Sequence, residues 1–324
     1  MHLIDWLTTY SIVGRDTIRQ VEDTITPVSK VELFETGLVY HNGYVNNTKT
    51  GRKLGVSYNK ERESISVKVC PNKFILGNNV EEASIRDVNF MFNDLSNLFS
   101  YDFGTAMVKR LDVTHTAQTE YTPLAYYPYM CYQDKFDRHQ RDTSLYYQKQ
   151  GITKLFYDKV NEVSSRKTWG GRQRIPNELA DKNLFRFEVR LNSTKQINNA
   201  IAMPVGQQAT LVDIMQDSSI EQLQKLWINE YNNIPKMTEI PFDFTNKQGA
   251  REFKEEIIQV ALANYGRKNI EELYKYAIDC GTLKTRKQIY DAKKILDVFD
   301  TRAQKCYIIQ ELDEKIKACE PKLM

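Results

Sequence analysis

Three short runs in this chain carry the residue types that can cut a phosphodiester. They are Lys109-Arg110-Leu111-Asp112-Val113-Thr114-His115, Lys154-Leu155-Phe156-Tyr157-Asp158-Lys159 and Leu184-Phe185-Arg186-Phe187-Glu188-Val189-Arg190-Leu191. Each reads as a strand, and successive side chains of a strand face opposite sides. Arg110, Asp112 and Thr114 therefore share one face of the first run, and Arg186, Glu188 and Arg190 share one face of the third. If the strands pair, two carboxylates, several cations and a phenol meet on a single sheet surface. Such a surface can hold a divalent metal against a phosphodiester while the phenol attacks it, which is the chemistry of nicking a DNA strand. The alternatives are a sheet-face ion network, each carboxylate paired with a neighbouring arginine, and a buried tyrosine ring with its hydroxyl satisfied. Tyr146 and Tyr147, in Ser144-Leu145-Tyr146-Tyr147, are rival nucleophiles, or aromatics that stack on the bases of a single strand.

The elements that must position these residues follow from turn chemistry and apolar periodicity. Leu3 to Tyr10 and Lys30 to Tyr40 suggest strands, the second running into a turn at His41-Asn42-Gly43. Leu54 to Asn59 and Ser64 to Cys70 form a hairpin around Lys60-Glu61-Arg62-Glu63, and Pro71 to Asn79 reads as a loop punctuated by Gly77. Ser84 is an N-cap with Asp87 three residues on, and Ile85, Val88, Phe92, Leu95 and Phe99 follow as one apolar helical stripe. That helix leads into the strand carrying Asp112. The tyrosine-rich segment from Tyr121 to Tyr147 reads as an irregular loop, with His139 in a polar, solvent-exposed stretch. Trp169-Gly170-Gly171-Arg172 is a basic loop or a plain surface turn.

After Leu191 the character changes. Pro204-Val205-Gly206 makes a boundary, and the chain beyond reads as helices: Ile220 to Tyr231, Arg251 to Asn264, Ile270 to Asp279, Arg286 to Asp297 and Ala303 to Lys317. The expectation is an α+β domain over 1–203 followed by a helical C-terminal domain over 204–324. The helices flanking Cys280-Gly281-Thr282 are packing neighbours or a DNA-reading helix-turn-helix.

The totals bound the function. At 324 residues, 41% apolar and 27% charged, the chain is globular and long enough for two domains. No apolar stretch approaches the roughly 20 residues of a membrane span, and Met1-His2-Leu3-Ile4-Asp5-Trp6 lacks the start of a signal peptide. The expectation is a cytoplasmic protein with no membrane partner. Five scattered cysteines and four scattered histidines argue against zinc ribbons, a disulfide framework or a His-rich metal site. A net charge of +3 permits nucleic-acid binding without demanding it. The cations Lys149, Lys154, Lys159, Arg166, Lys167, Arg172 and Arg174 around Tyr157 are solvated surface or phosphate contacts.

In order, four motifs resemble the gene II replication initiator family of filamentous bacteriophages and, more distantly, the rolling-circle initiators of small plasmids. Pro71-Asn72-Lys73, running on to Gly77-Asn78-Asn79, is similar to the family's Pro-x-Lys…Gly-x-Asn loop. Arg110-Leu111-Asp112 is similar to its Arg-apolar-Asp strand. Leu155-Phe156-Tyr157-Asp158-Lys159 falls where the family has a nucleophilic tyrosine with a lysine two residues later. Leu184 to Arg190 is similar to its Arg-Phe-Glu-x-Arg strand.

The resemblance implies a central antiparallel sheet flanked by helices, as in rolling-circle initiator endonucleases. It also implies a metal-dependent enzyme that nicks one strand of single-stranded or supercoiled origin DNA. Tyr157 would attack with help from Lys159, leaving a 5′-phosphotyrosine link and a free 3′ hydroxyl primer. Asp112 and Glu188 would hold Mg²⁺ or Mn²⁺, with Thr114 or His115 completing the shell. Arg110, Arg186, Arg190, Lys73 and Lys154 would contact DNA phosphates, and host helicase and polymerase would be partners. The wider class carries two histidines flanking an apolar residue as metal ligands. No such pair stands here, and His115, three residues from Asp112, falls on the opposite side of an ideal strand. A non-catalytic origin-binding protein and a related relaxase or transposase are the competing readings.

Overall fold

A computed structural model of the chain describes residues 4–33, 35–165, 175–236, 267–297 and 307–319. Ten antiparallel strands form one sheet in the spatial order β2-β3-β4-β5-β1-β6-β10-β9-β8-β7. They are β1 (Ile4–Ile12), β2 (Thr26–Glu32), β3 (Val39–Asn46), β4 (Lys53–Asn59), β5 (Ser64–Val69), β6 (Met107–Thr119), β7 (Asp137–Arg141), β8 (Ser144–Lys149), β9 (Ile152–Asp158) and β10 (Asn183–Leu191). Long β6 sits in the middle, between β1 and β10.

The two faces of this sheet differ, and the difference is written in the alternation of the strands. In β1, Leu7 points into the core while Trp6, Thr8 and Tyr10 stay half-exposed. In β4, Leu54 and Val56 are buried while Gly55 and Ser57 are half-exposed. The apolar face is covered by α1 (Arg15–Thr24), α3 (Ile85–Phe99), α6 (Leu211–Ile214), α7 (Asp217–Asn232) and α10 (Tyr307–Lys317), each adding buried residues to one continuous core. Trp227 of α7 is fully buried there, its indole donating to the Phe187 carbonyl at 3.0 Å. Helix α5 (Thr194–Ala200) packs its Ile197 into the same core. Of the described helices after residue 204, α6, α7 and α10 thus pack on the sheet itself. The pair α8 (Arg267–Asp279) and α9 (Arg286–Asp297) follows the expected spans. The expected helix over 251–264, the loop at 169–172 and the cations Arg166, Lys167 and Arg174 lie outside the described residues. No helix among the described residues is long and apolar enough to cross a membrane.

Three local expectations are corrected. His41-Asn42-Gly43 is not a turn but the middle of β3, and the turn lies earlier, between β2 and β3. Gly43 stands there because a Cβ would meet the Thr26 carbonyl and the Ile25 side chain at 2.6 Å. Pro71 to Leu76 is a short helix, α2, not a loop. Pro71 fits its first turn, where no amide donor is needed, and Gly77, at φ 79°, closes it through its N–H to the Lys73 carbonyl. The segment 121–147 is only half irregular: two 3-10 turns lead into the β7–β8 hairpin, so His139 lies on a strand, half-buried and stacked on Tyr146 at 4.8 Å. Helix α3 forms as expected, with a reciprocal Ser84–Asp87 capping box.

Candidate active site

Strands β6, β10 and β9 lie side by side, so register decides what meets. Asp112 sits opposite Arg190, and Glu188 lies between Thr114 on β6 and Leu155 on β9. Tyr157 sits opposite Arg186, one diagonal step from Glu188. All these side chains project from the face away from the helical core. There the Tyr157 hydroxyl donates to Glu188 Oε2 at 3.2 Å. Arg190 Nε lies 2.6 Å from Glu188 Oε1 and 3.7 Å from Asp112 Oδ2, tying the two carboxylates together. Arg110 closes the far side with a bidentate clamp on Asp112 at 2.8 and 2.6 Å. Tyr157 is 7% exposed, yet it lines a polar hollow of about 430 Å³. Asp5, Trp6, Lys73, Asn79 and Glu162 also line it.

Burial in this crowd of charges sets the titration of each group. Desolvation, with repulsion from Glu188, pushes the Asp112 carboxyl up to about 7 against the pull of Arg110 and Arg190. Desolvation drives the Tyr157 phenol well above 10; Arg186 opposes this and Glu188 adds to it. Lys159 opens helix α4 (Lys159–Ser165) and is not a strand residue. Its ammonium is buried, pairs with Glu162 at 2.8 Å and lies 5.5 Å from the centre of the Tyr157 ring. Desolvation and the nearby Arg186 bring it down to about 8.

Two residues expected to contact phosphate, Lys154 and Arg186, are fully buried. Lys154 points to the opposite face, because it stands an odd number of residues from Tyr157 on the same strand. There it pairs with Glu230 at 2.6 Å and donates to Gln133 at 2.8 Å. Arg186 faces the right way but is fully buried beneath the hollow, donating to Thr114 at 3.0 Å and pairing with Asp5 at 2.8 Å. Arg110 and Arg190 keep about a third of their side-chain surface, and Lys73 of α2 is half-buried at the rim. Of the rival tyrosines, Tyr147 is buried on the core side and donates to the Met130 and Cys131 carbonyls. Tyr146, by contrast, lines the hollow.

Asp5 and Trp6 are functional candidates that the motif reading passed over. An irregularity in the β1–β6 register between Ile4 and Trp6 lets both neighbours line the hollow. Strict alternation hides this, although an acid beside a tryptophan at the start of a strand is itself unusual.

A divalent cation at this site would meet two hard carboxylates, Asp112 and Glu188. That donor set suits magnesium, which uses one or two carboxylates and fills its remaining positions with water and substrate phosphate. Both carboxylates are engaged by arginines, so binding would require Arg190 to exchange partners. Among the described residues no group of three or more His, Cys, Asp and Glu side chains is arranged for a metal. Thr114 is engaged by Arg186 and the Phe187 carbonyl, so it is not a free third ligand.

His115 lies on the other side, as alternation requires, with Nδ1 3.1 Å from Glu82 and its ring edge-on to Trp227. Burial lowers its pKa, but hydrogen bonds to Cys319 and Glu82 outweigh this and raise it to about 9. A raised folded-state value means that the stabilisation is complete below about pH 6.5 and is lost as the pH rises through about 9. The unfolding temperature is therefore expected to drop by a few degrees between these limits, and Glu82→Gln should flatten the slope. An unchanged slope in that variant would remove His115 as the cause.

The class that fold and site define is an α+β protein whose open sheet face carries a phenol, two carboxylates and two half-buried arginines around one hollow. The family model for the N-terminal region of the gene II replication-associated protein matches residues 4–208. The chain belongs to this family, the replication initiators that its four motifs resemble. No curated protein and no solved structure matches the chain.

Proposed function

We propose that this replication initiator nicks one strand of origin DNA, with Tyr157 as nucleophile, to start rolling-circle copying. The observation that carries the reading is the hydrogen bond from the Tyr157 hydroxyl to Glu188, at the edge of a hollow shared with Asp112, Arg110 and Arg190. A phenol with so high a pKa does not ionise unaided. Glu188 Oε2 is within reach to take its proton as the oxygen bonds to phosphorus. The bond from phosphorus to the 3′ oxygen then breaks, and that oxygen takes a proton from the solvent in the hollow. The product is a 5′-phosphotyrosine link and a 3′ hydroxyl that primes the host polymerase. The link conserves the energy needed to rejoin the strand, which attack by water would discard.

Arg110, Arg190 and Lys73 supply positive charge where the phosphate must sit, and their donors match the charge that grows on its oxygens. Lys159, beside the tyrosine ring, favours the phenolate. Mg²⁺ or Mn²⁺, held by Asp112 and Glu188, would withdraw charge from the phosphate.

The test is covalent adduct formation with origin single strands, with and without chelator, followed by mapping of the modified residue. An adduct that needs the cation and maps to position 157 is expected. No adduct under any condition would leave an origin-binding protein without cleavage. Glu188→Gln should slow adduct formation by about 10²–10⁴-fold while DNA binding persists. A variant as fast as the unmodified chain would remove Glu188 as proton acceptor.

A further inference from the structure

The open face does not end at the hollow. Strand register sets up a straight row across five strands, in which Arg110 on β6 lies opposite Thr8 on β1, Thr8 opposite Lys68 on β5, Lys68 opposite Gly55 on β4, and Gly55 opposite Tyr44 on β3. With strands about 4.8 Å apart, Tyr44 stands about 19 Å from Arg110. The row beside it runs Tyr10, Ser66, Ser57, Asn42. Neither row contains an acid. All of these residues are half-exposed or exposed on the face that the helical core leaves open.

We propose that these two rows form a track for single-stranded DNA, joined to the hollow at Arg110 and beyond it separate from the groups that cut. The occupant follows from the chemistry. Lysines and an arginine without intervening carboxylates attract a phosphodiester backbone, and tyrosines among hydroxyl and amide groups offer faces to bases without selecting sequence. Lys53 Nζ lies 3.7 Å above the Tyr44 ring, so a cation and an aromatic face are already presented together at the far end.

Gly55 is the independent sign. Its φ is not in the left-handed region, and a Cβ there would meet only Lys68 backbone and Cβ atoms at 3.6 and 3.8 Å, which is ordinary contact. The fold does not require glycine at this point. Glycine in a strand interior costs stability and often marks close approach by a ligand. Here it floors a trough between Tyr44 and Lys68.

The track rests on the nicking reading only for the direction in which the strand leaves the hollow, and its test does not need cleavage. Binding of oligo(dT) by the whole chain should be measured by fluorescence anisotropy, with lengths from about 4 to 16 nucleotides. Affinity should climb with length. Tyr44→Ala should weaken the longest oligonucleotide about tenfold and leave the shortest unchanged. Gly55→Val, which favours a strand but fills the trough, should do the same without lowering the unfolding temperature. Adduct formation on the shortest cleavable origin strand should be unaffected in both. Length-independent affinity, or full binding of long strands by both variants, overturns the track. A chain that makes no adduct but shows the length dependence and loses it in the variants keeps the track and discards the nicking reading.

Discussion

Tyr157→Phe is expected to reduce covalent adduct formation by at least about a thousandfold, the scale on which loss of an enzymic nucleophile is felt, while binding to the same origin strand is retained. The substitution suits the geometry. Phenylalanine fills the same space beneath the hollow, and the one hydrogen bond removed is the 3.2 Å donation to Glu188. Arg190 still engages the other oxygen of that carboxylate, so stability should change by no more than about 1 kcal/mol. Loss of the adduct could not then be ascribed to unfolding, which a melting curve would check. Tyr146 is the sharp competitor, because it lines the same hollow two strands from Glu188, with its ring stacked on His139. An adduct that persists in Tyr157→Phe and disappears in Tyr146→Phe would transfer the role to Tyr146. Tyr147 needs no such control, since its hydroxyl is occupied by two backbone carbonyls on the core side.

What could be read from the chain was whatever depends on alternation. Arg110 and Asp112 share a face, as do Glu188 and Arg190, because period two fixes this wherever a strand exists. The same rule put His115 behind the sheet. Register could not be read, although register is what sets Asp112 opposite Arg190 and brings both carboxylates to one guanidinium. The edge strand β7 was invisible because Asp137-Arg138-His139-Gln140-Arg141 buries almost nothing and therefore shows no apolar pattern. Lys154 shows why neighbourhood in sequence is not neighbourhood in space: it stands three residues from the candidate nucleophile, and parity sends it to the other face, where it pairs with Glu230. The ion-network alternative for Asp112 and Glu188 stands beside the metal reading. Both carboxylates are paired with arginines, and the nucleophile reading rests on the phenol that shares Glu188 with them.

Arg186 tests the limit of reading cations near a nucleophile as DNA contacts. It is fully buried, and its guanidinium spans Asp5 on β1, Thr114 on β6 and the Asn79 carbonyl before α3. Burial lowers its pKa, but Asp5 above all, with the Tyr157 and Glu188 sites, raises it beyond the usual arginine value, so the charge stays. In the other direction, burial raises Asp5, while Arg186, Lys159 and Lys73 outweigh this and hold it below the usual carboxylate range. The arginine is thus a strut under the hollow and Asp5 is its counter-charge. Asp5→Asn leaves a buried cation short of its partner and should cost about 3–5 kcal/mol, or an unfolding temperature lower by about 10 °C. Because the folded pKa of Asp5 is depressed, its contribution is present above about pH 4 and fades as the pH falls, so the gap between the two proteins should narrow in acid. Asp5→Asn combined with Arg186→Met removes both charges and should recover at least half of the loss, since the penalty lies in the unpaired charge and not in the missing pair. Asp5→Asn melting with the unmodified chain while binding DNA poorly would overturn the strut and return Arg186 to the phosphate.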